Sequence, residues 1–204
     1  MKKVLVIVDV QYDFLPGGKL PVKDGDQVIP VINGLQGKFD LVVATQDWHP
    51  DNHLSFAANH ADRKPGDVIV LKGIEQVLWP QHCIQDSRGA MISSELTRDK
   101  IRRIFYKGTE RTIDSYSTFF DNAHARSTGL DNYLKENGVT DVYLAGLATD
   151  YCVLYSAHDA VKLGYKTFVV IDGCRGIDLR PGDVERAVEE MKSAGVRIVE
   201  SKAL

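Results

Sequence analysis

Strand-length apolar runs alternate with helix-period segments along this chain, and that alternation restricts the fold more than any other feature. Residues 4–8, 40–45, 102–106, 142–147, 166–171 and 196–200 read as strands. Helical spacing covers 26–35, 130–137, 151 onward and 181–194, with Gly138 and Gly195 as stop signals. Parallel strands need long crossover connections, usually helical. The pattern therefore predicts a three-layer α/β/α fold, with a mostly parallel sheet of roughly six strands covered on both faces. A length of 204 residues suits one domain spanning 1–204, and no repeat or linker divides it.

The formal charge of −3 is small, and Lys and Arg form no long run, so neither nucleic acid nor an anionic membrane is indicated as a partner. Cys83, Cys152 and Cys174 are too few and too far apart for a disulfide framework. The apolar runs are too short to cross a membrane, and Lys2-Lys3 leads straight into one too short for a secretion signal. A cytoplasmic location is the expectation, and a homo-oligomer is compatible with the sequence.

Reactive side chains follow the predicted strands. Asp9, Asp47 with His49, Lys107 and Cys152 each come directly after one, and in an open parallel sheet all such ends meet at one edge, where ligands bind. Taken singly, Asp9 could cap a turn, Asp47 a helix, and Lys107 could be a solvated charge. Together they predict an active site. Cys152 falls at the start of a helix, where free N–H groups and the helix dipole favour a thiolate, so the expectation is a lowered pKa. The competing reading is a small buried residue. Asp47 and His49, two apart, can share a metal ion, with His82 as a third ligand; a set of surface histidines is the alternative. His53 and His60 are weaker candidates. The stretch 50–85 is long and weakly periodic, a functional excursion with little regular structure expected.

Five separated motifs, Val8-Asp9-Val10-Gln11-Tyr12-Asp13-Phe14, Thr45-Gln46-Asp47-Trp48-His49-Pro50-Asp51-Asn52-His53, Trp79-Pro80-Gln81-His82-Cys83, Lys107-Gly108 and Gly146-Leu147-Ala148-Thr149-Asp150-Tyr151-Cys152, resemble the nicotinamidase branch of the isochorismatase-like cysteine hydrolases. The likeness covers nearly the whole chain. It implies a triad of Asp9, Lys107 and Cys152, an oxyanion hole from the backbone N–H groups of Ala148 and Cys152, and a divalent metal on Asp47, His49 and His82. Zinc comes first among the candidate ions, with iron, manganese and magnesium open. It also implies an aromatic pocket of Phe14, Trp79 and Tyr116 and a cis peptide between Leu147 and Ala148; some members of the family add a fourth histidine ligand, near which His53 stands, and the expected set here leaves His53 out.

The activity implied is hydrolysis of nicotinamide, and of pyrazinamide, through a cysteine thioester. Nicotinamide is then the small-molecule partner, and its turnover is a salvage step for nicotinamide cofactors. Three alternatives stand beside it. A hydrolase for another amide or carbamoyl compound would keep the triad without needing the metal. An isochorismatase-type hydrolase would need no thioester, and a non-catalytic binding module would not need the triad. A phosphotransferase using Asp9 is disfavoured because Gln11 stands where a second metal-binding acid is expected.

Overall fold

The computed structural model describes residues 1–204. Six strands, β1 (Lys2–Val8), β2 (Leu41–Asp47), β5 (Ile101–Lys107), β6 (Val139–Leu147), β7 (Lys166–Arg175) and β8 (Arg197–Val199), form one sheet in the order β5-β2-β1-β6-β7-β8. Every neighbouring pair in it is parallel. Buried central strands show side chains alternately to the two faces. Val4, Val6 and Val8 join one apolar core, while Leu5 and Ile7 join another on the opposite face. Helix α1 (Val28–Leu35) closes the Leu5 face with Val28, Ile29, Ile32 and Leu35. The Val4 face is closed by α2 (Leu130–Glu136), α3 (Leu154–Lys162) and α4 (Asp183–Ser193) through Leu130, Leu134, Ala157, Ala160 and Met191. This is the predicted three-layer arrangement.

The strand order decides where a ligand can sit. From β1 the chain steps outward through β2 to β5, then returns to the other side of β1 with β6 and steps away through β7 and β8. The reversal lies between β1 and β6, and the crevice beyond their carboxyl ends is the expected binding place in such sheets. The two strands pair up to Val8 opposite Gly146. Gly146 has φ +134°, and a Cβ there would lie 2.1 Å from the Val8 carbonyl oxygen, so only glycine allows this approach.

Two regions depart from the sequence reading. Within 50–85, expected to hold little regular structure, β3 (Val68–Leu71) and β4 (Ile74–Val77) form an antiparallel hairpin. Its turn, Lys72-Gly73, has φ of +49° and +82°, the left-handed pair that closes tight hairpins. Strand β7 runs on to Arg175 through a stretch read as loop, after a register irregularity beyond Leu144. An irregular strand loses the clean alternation on which the reading relied. No helix is long and apolar enough to cross a membrane.

Candidate active site

Asp9 follows β1 directly in a left-handed conformation, φ +49°, uncommon for a residue with a side chain and a frequent mark of functional sites. Asp47 closes β2 and Lys107 closes β5, where they pair in register. Cys152 lies in a π-helical turn, Thr149–Val153, between β6 and α3. The Leu147–Ala148 peptide that leads into it is cis. The strands that carry Asp9 and Lys107 are not neighbours: β2 stands between them, and the lysine reaches across it.

Lys107 is the hub. Its Nζ lies 2.8 Å from Asp9 Oδ2 and 3.4 Å from Cys152 Sγ, and it donates to Asp47 Oδ1 and, at 3.0 Å, to the Ser115 carbonyl. A lysine only 2 % exposed must have such partners to stay charged. Burial alone would lower its pKa, but Asp47 and Asp9 raise it well above the usual value. Asp9 also accepts from Thr45 Oγ1 at 2.7 Å, and burial, opposed by Lys107, pushes its carboxyl up to about 6.

Cys152 corrects the sequence expectation. Burial drives its thiol well above the ordinary value, although Lys107 pulls the other way. The free N–H groups of a helix start cannot replace the water lost at a thiol 7 % exposed. The resting group is a thiol that needs a base, and potential ligand atoms of Asp9, Asp47 and Cys152 all lie within 4.8 Å of one another.

Asp47, His49 and His82 form a second cluster whose donor atoms also lie within 4.8 Å of one another. His49 Nδ1 donates to the Gly108 carbonyl and His82 Nδ1 to the Pro80 carbonyl, each at 2.8 Å. The two Nε2 atoms then face Asp47 Oδ2, at 3.7 and 3.9 Å. Histidines oriented by a carbonyl on the far nitrogen, beside a carboxylate, are a donor set that fits a divalent ion. Burial and His49 push His82 down to about 4, so it is neutral and free to ligate. Burial would raise the Asp47 carboxyl, but Lys107, His49 and His82 hold it well below the usual range. Gly108 is needed because a Cβ there would lie 2.2 Å from the His49 ring.

His53 stands apart from this trio. Its Nδ1 accepts from the Ser55 hydroxyl at 2.7 Å and the Ser55 N–H at 3.1 Å, and its Nε2 faces the Ile113 carbonyl at 3.3 Å. It groups with His49 and Asp114 instead. His60 donates to the Leu54 carbonyl.

One pocket touches both clusters. Its lining includes Cys152, Ala148, Asp47, His82, Phe14, Trp79 and Tyr116, and eight of its eleven lining residues are hydrophobic. Leu20, Tyr151, Ile177 and Asp114 complete the wall. The residues named from sequence thus meet in one place, with Asp9, Lys107 and His49 behind the surface.

A family model described as the isochorismatase domain matches residues 3–203. The chain belongs to the isochorismatase family. Among its relatives, the nicotinamidase of Acinetobacter baylyi is 47% identical over 97% of this chain and 92% of its own. A solved nicotinamidase/pyrazinamidase from Acinetobacter baumanii superposes with TM-score 0.96 at 50% identity, covering 99% of this chain and 97% of that one. The zinc complex of a Pyrococcus horikoshii pyrazinamidase gives TM-score 0.78 at 40% identity, covering 98% and 99%.

Sequence reasoning about this isochorismatase-family site missed Gln76. It lies on β4, 3 % exposed, and donates to Tyr116 Oη at 3.0 Å and to Asp114 Oδ2 at 3.2 Å. Trp79 Nε1 donates to the same hydroxyl at 3.1 Å, so the hairpin pins the aromatic wall. The turn signal Lys72-Gly73 between short β-rich runs could have revealed the hairpin, though not its target.

Proposed function

We propose that this chain is a nicotinamidase, a cysteine amidohydrolase that converts nicotinamide to nicotinate and ammonia and also accepts pyrazinamide. The observation that carries the reading is one pocket lined together by Cys152, by Asp47 and His82, and by the aromatic rings of Phe14, Trp79 and Tyr116. An aromatic amide held there has its ring against Trp79, Tyr116 and Phe14 and its carbonyl within reach of the thiol.

Asp9, its carboxyl pushed up to about 6, takes the Cys152 proton, and the thiolate attacks the amide carbonyl. Lys107 keeps its charge throughout and stabilises the thiolate at 3.4 Å. The Ala148 and Cys152 N–H groups serve the oxyanion. Asp9 returns the proton to the departing ammonia, leaving a thioester, and then draws a proton from the water that cleaves it. Asp47, His49 and His82 would hold one divalent ion, zinc foremost, which when bound would supply a Lewis-acid site for the ring nitrogen and so help to aim the carbonyl at Cys152. Similarity to a zinc-bound pyrazinamidase supports that choice of ion.

We also read residues 1–204 as one hydrolase domain, and its three unpaired cysteines suit a reducing cytosol. The deciding experiment measures ammonia released from nicotinamide by the pure protein, as prepared, after chelation and after zinc is restored. Release that falls on chelation and returns with zinc is expected; no release under any of the three conditions would overturn the reading.

A further inference from the structure

We infer that Gln11 and Asp13 are positioning residues for the metal-ligand set, so that the Asp9–Asp13 segment serves both the triad and the metal cluster. The inference rests on the reading of Asp47, His49 and His82 as metal ligands. These come from separated stretches of chain, and the two side chains brace their backbones.

Gln11 is fully buried, and its carboxamide pairs with both main-chain groups of Asp47. Its Oε1 accepts the Asp47 N–H at 2.8 Å, and its Nε2 donates to the Asp47 carbonyl at 2.8 Å and to the Ala90 carbonyl at 2.8 Å. The ladder between β1 and β2 ends at Ile7 opposite Ala44, so this side chain carries on the pairing past the last rung. One acceptor and two donors are all used, a pattern that neither Glu nor Met can reproduce.

Asp13 works on the other two ligands. It is 5 % exposed, and its Oδ2 accepts the Cys83 N–H at 2.8 Å, the amide that joins His82 to Cys83. Cys83 has φ +46°, an unusual conformation for a residue with a side chain. The Cys83 carbonyl in turn accepts the His49 N–H at 3.0 Å. One bond from Asp13 therefore holds the peptide between His82 and the partner of His49. Gly89 packs against this carboxylate so closely that a Cβ there would lie 2.1 Å from Oδ2.

Groups that orient metal ligands from one step behind typically cost about 10–100-fold in metal affinity when removed. The test strips the full-length protein with a chelator and measures zinc affinity by competition with a chromogenic chelator. Cys152 alkylation and thermal unfolding are followed on the metal-free protein. Gln11→Met and Asp13→Ala should each raise the zinc Kd about 10–100-fold, while Cys152 alkylates at the wild-type rate. Asp13→Asn keeps an acceptor for the Cys83 N–H and should recover most of the loss.

An unchanged zinc Kd in folded variants overturns the inference, as does a loss of affinity matched by an equal change in Cys152 alkylation. Should Gln11→Met or Asp13→Ala fail to fold, Gln11→Glu, which keeps the acceptor and loses the donors, and Asp13→Leu, which keeps the bulk and loses the acceptor, decide by the same Kd criterion. A wild-type protein that binds no zinc would instead remove the metal-site reading and this inference with it. Ammonia release then reports on the hydrolase reading separately.

Discussion

The two sides of the pocket are built differently. The nucleophile side stands on the sheet: Asp9, Asp47 and Lys107 sit at the ends of β1, β2 and β5, and Cys152 on the turn after β6. The ring-holding side comes from the excursion between β2 and β5 and the loop after β5, where His82, Trp79 and Tyr116 belong to no strand or helix. Backbone ladders fix the first side, whereas side-chain bonds fix the second: Gln76 and Trp79 on the Tyr116 hydroxyl, Pro80 on His82 and Gly108 on His49. Groups that break bonds need a rigid frame, and groups that select a ligand can vary on loops provided each loop is clamped. Damage to the first side should abolish turnover, and damage to the second should change which amide is turned over.

The largest effect is expected at the thiol. Cys152→Ala should lose nearly all ammonia release while the protein still folds, and wild-type turnover in this variant would remove the thioester. Asp9→Asn and Lys107→Ala should each lower kcat by about a thousandfold or more, and either change added to Cys152→Ala should cost little further. Fully additive losses in the double mutants would mean that these residues do not act as a unit.

The next comparison crosses to the ligand-holding side. His49→Ala and His82→Ala should reduce kcat/KM for nicotinamide about a hundredfold, the cost of misplacing a carbonyl by about 1 Å. Benzamide, with no ring nitrogen, should begin poor and lose little more. Equal proportional losses for both substrates would point to an ion that activates water.

The pH profile probes the frame without mutation. Asp9 acts as a base only when ionised, and its carboxyl is pushed up to about 6. kcat/KM for nicotinamide should therefore be level above pH 6 and fall about tenfold per unit below it. A profile flat to pH 4 would exclude Asp9 as the base.

The smallest expected effect is on the aromatic clamp. Gln76→Leu removes the bonds to Tyr116 and Asp114, and Tyr116→Phe removes those from Gln76 and Trp79; at about 1 kcal/mol for a bond, each should raise KM at least about fivefold with kcat nearly kept. The double mutant should lose less than the sum of the singles, because the Gln76–Tyr116 bond is broken in both. A loss of kcat as large as that from His82→Ala would place Tyr116 nearer the chemistry than its bonds suggest.

Much of the fold was legible because strand and helix periods differ and the helices were bounded by glycines such as Gly138 and Gly195. The residues proposed for the triad and the metal were legible as candidates because each stands at a strand exit or in a motif of unusual composition. Period and motif could not supply partners. The hairpin escaped because two short strands with one inward polar residue, Gln76, carry no clear alternation. The end of β7 escaped because an irregular register breaks it.

The amino-acid sequence by itself determined the alternating architecture, the edge where reactive groups gather and the kinds of chemistry they can do, since all three follow from local period and residue type. Tertiary structure alone decided strand order, and with it that Lys107 crosses β2 to join Asp9 and Cys152. It alone decided the protonation states, because water is excluded by the whole fold and not by a neighbour in the chain. A helix start predicted a thiolate at Cys152; burial raises its pKa instead, against the pull of Lys107, with the Asp9 carboxylate close by. Long-range contact sets both desolvation and partnership, and neither is encoded in any single stretch of residues.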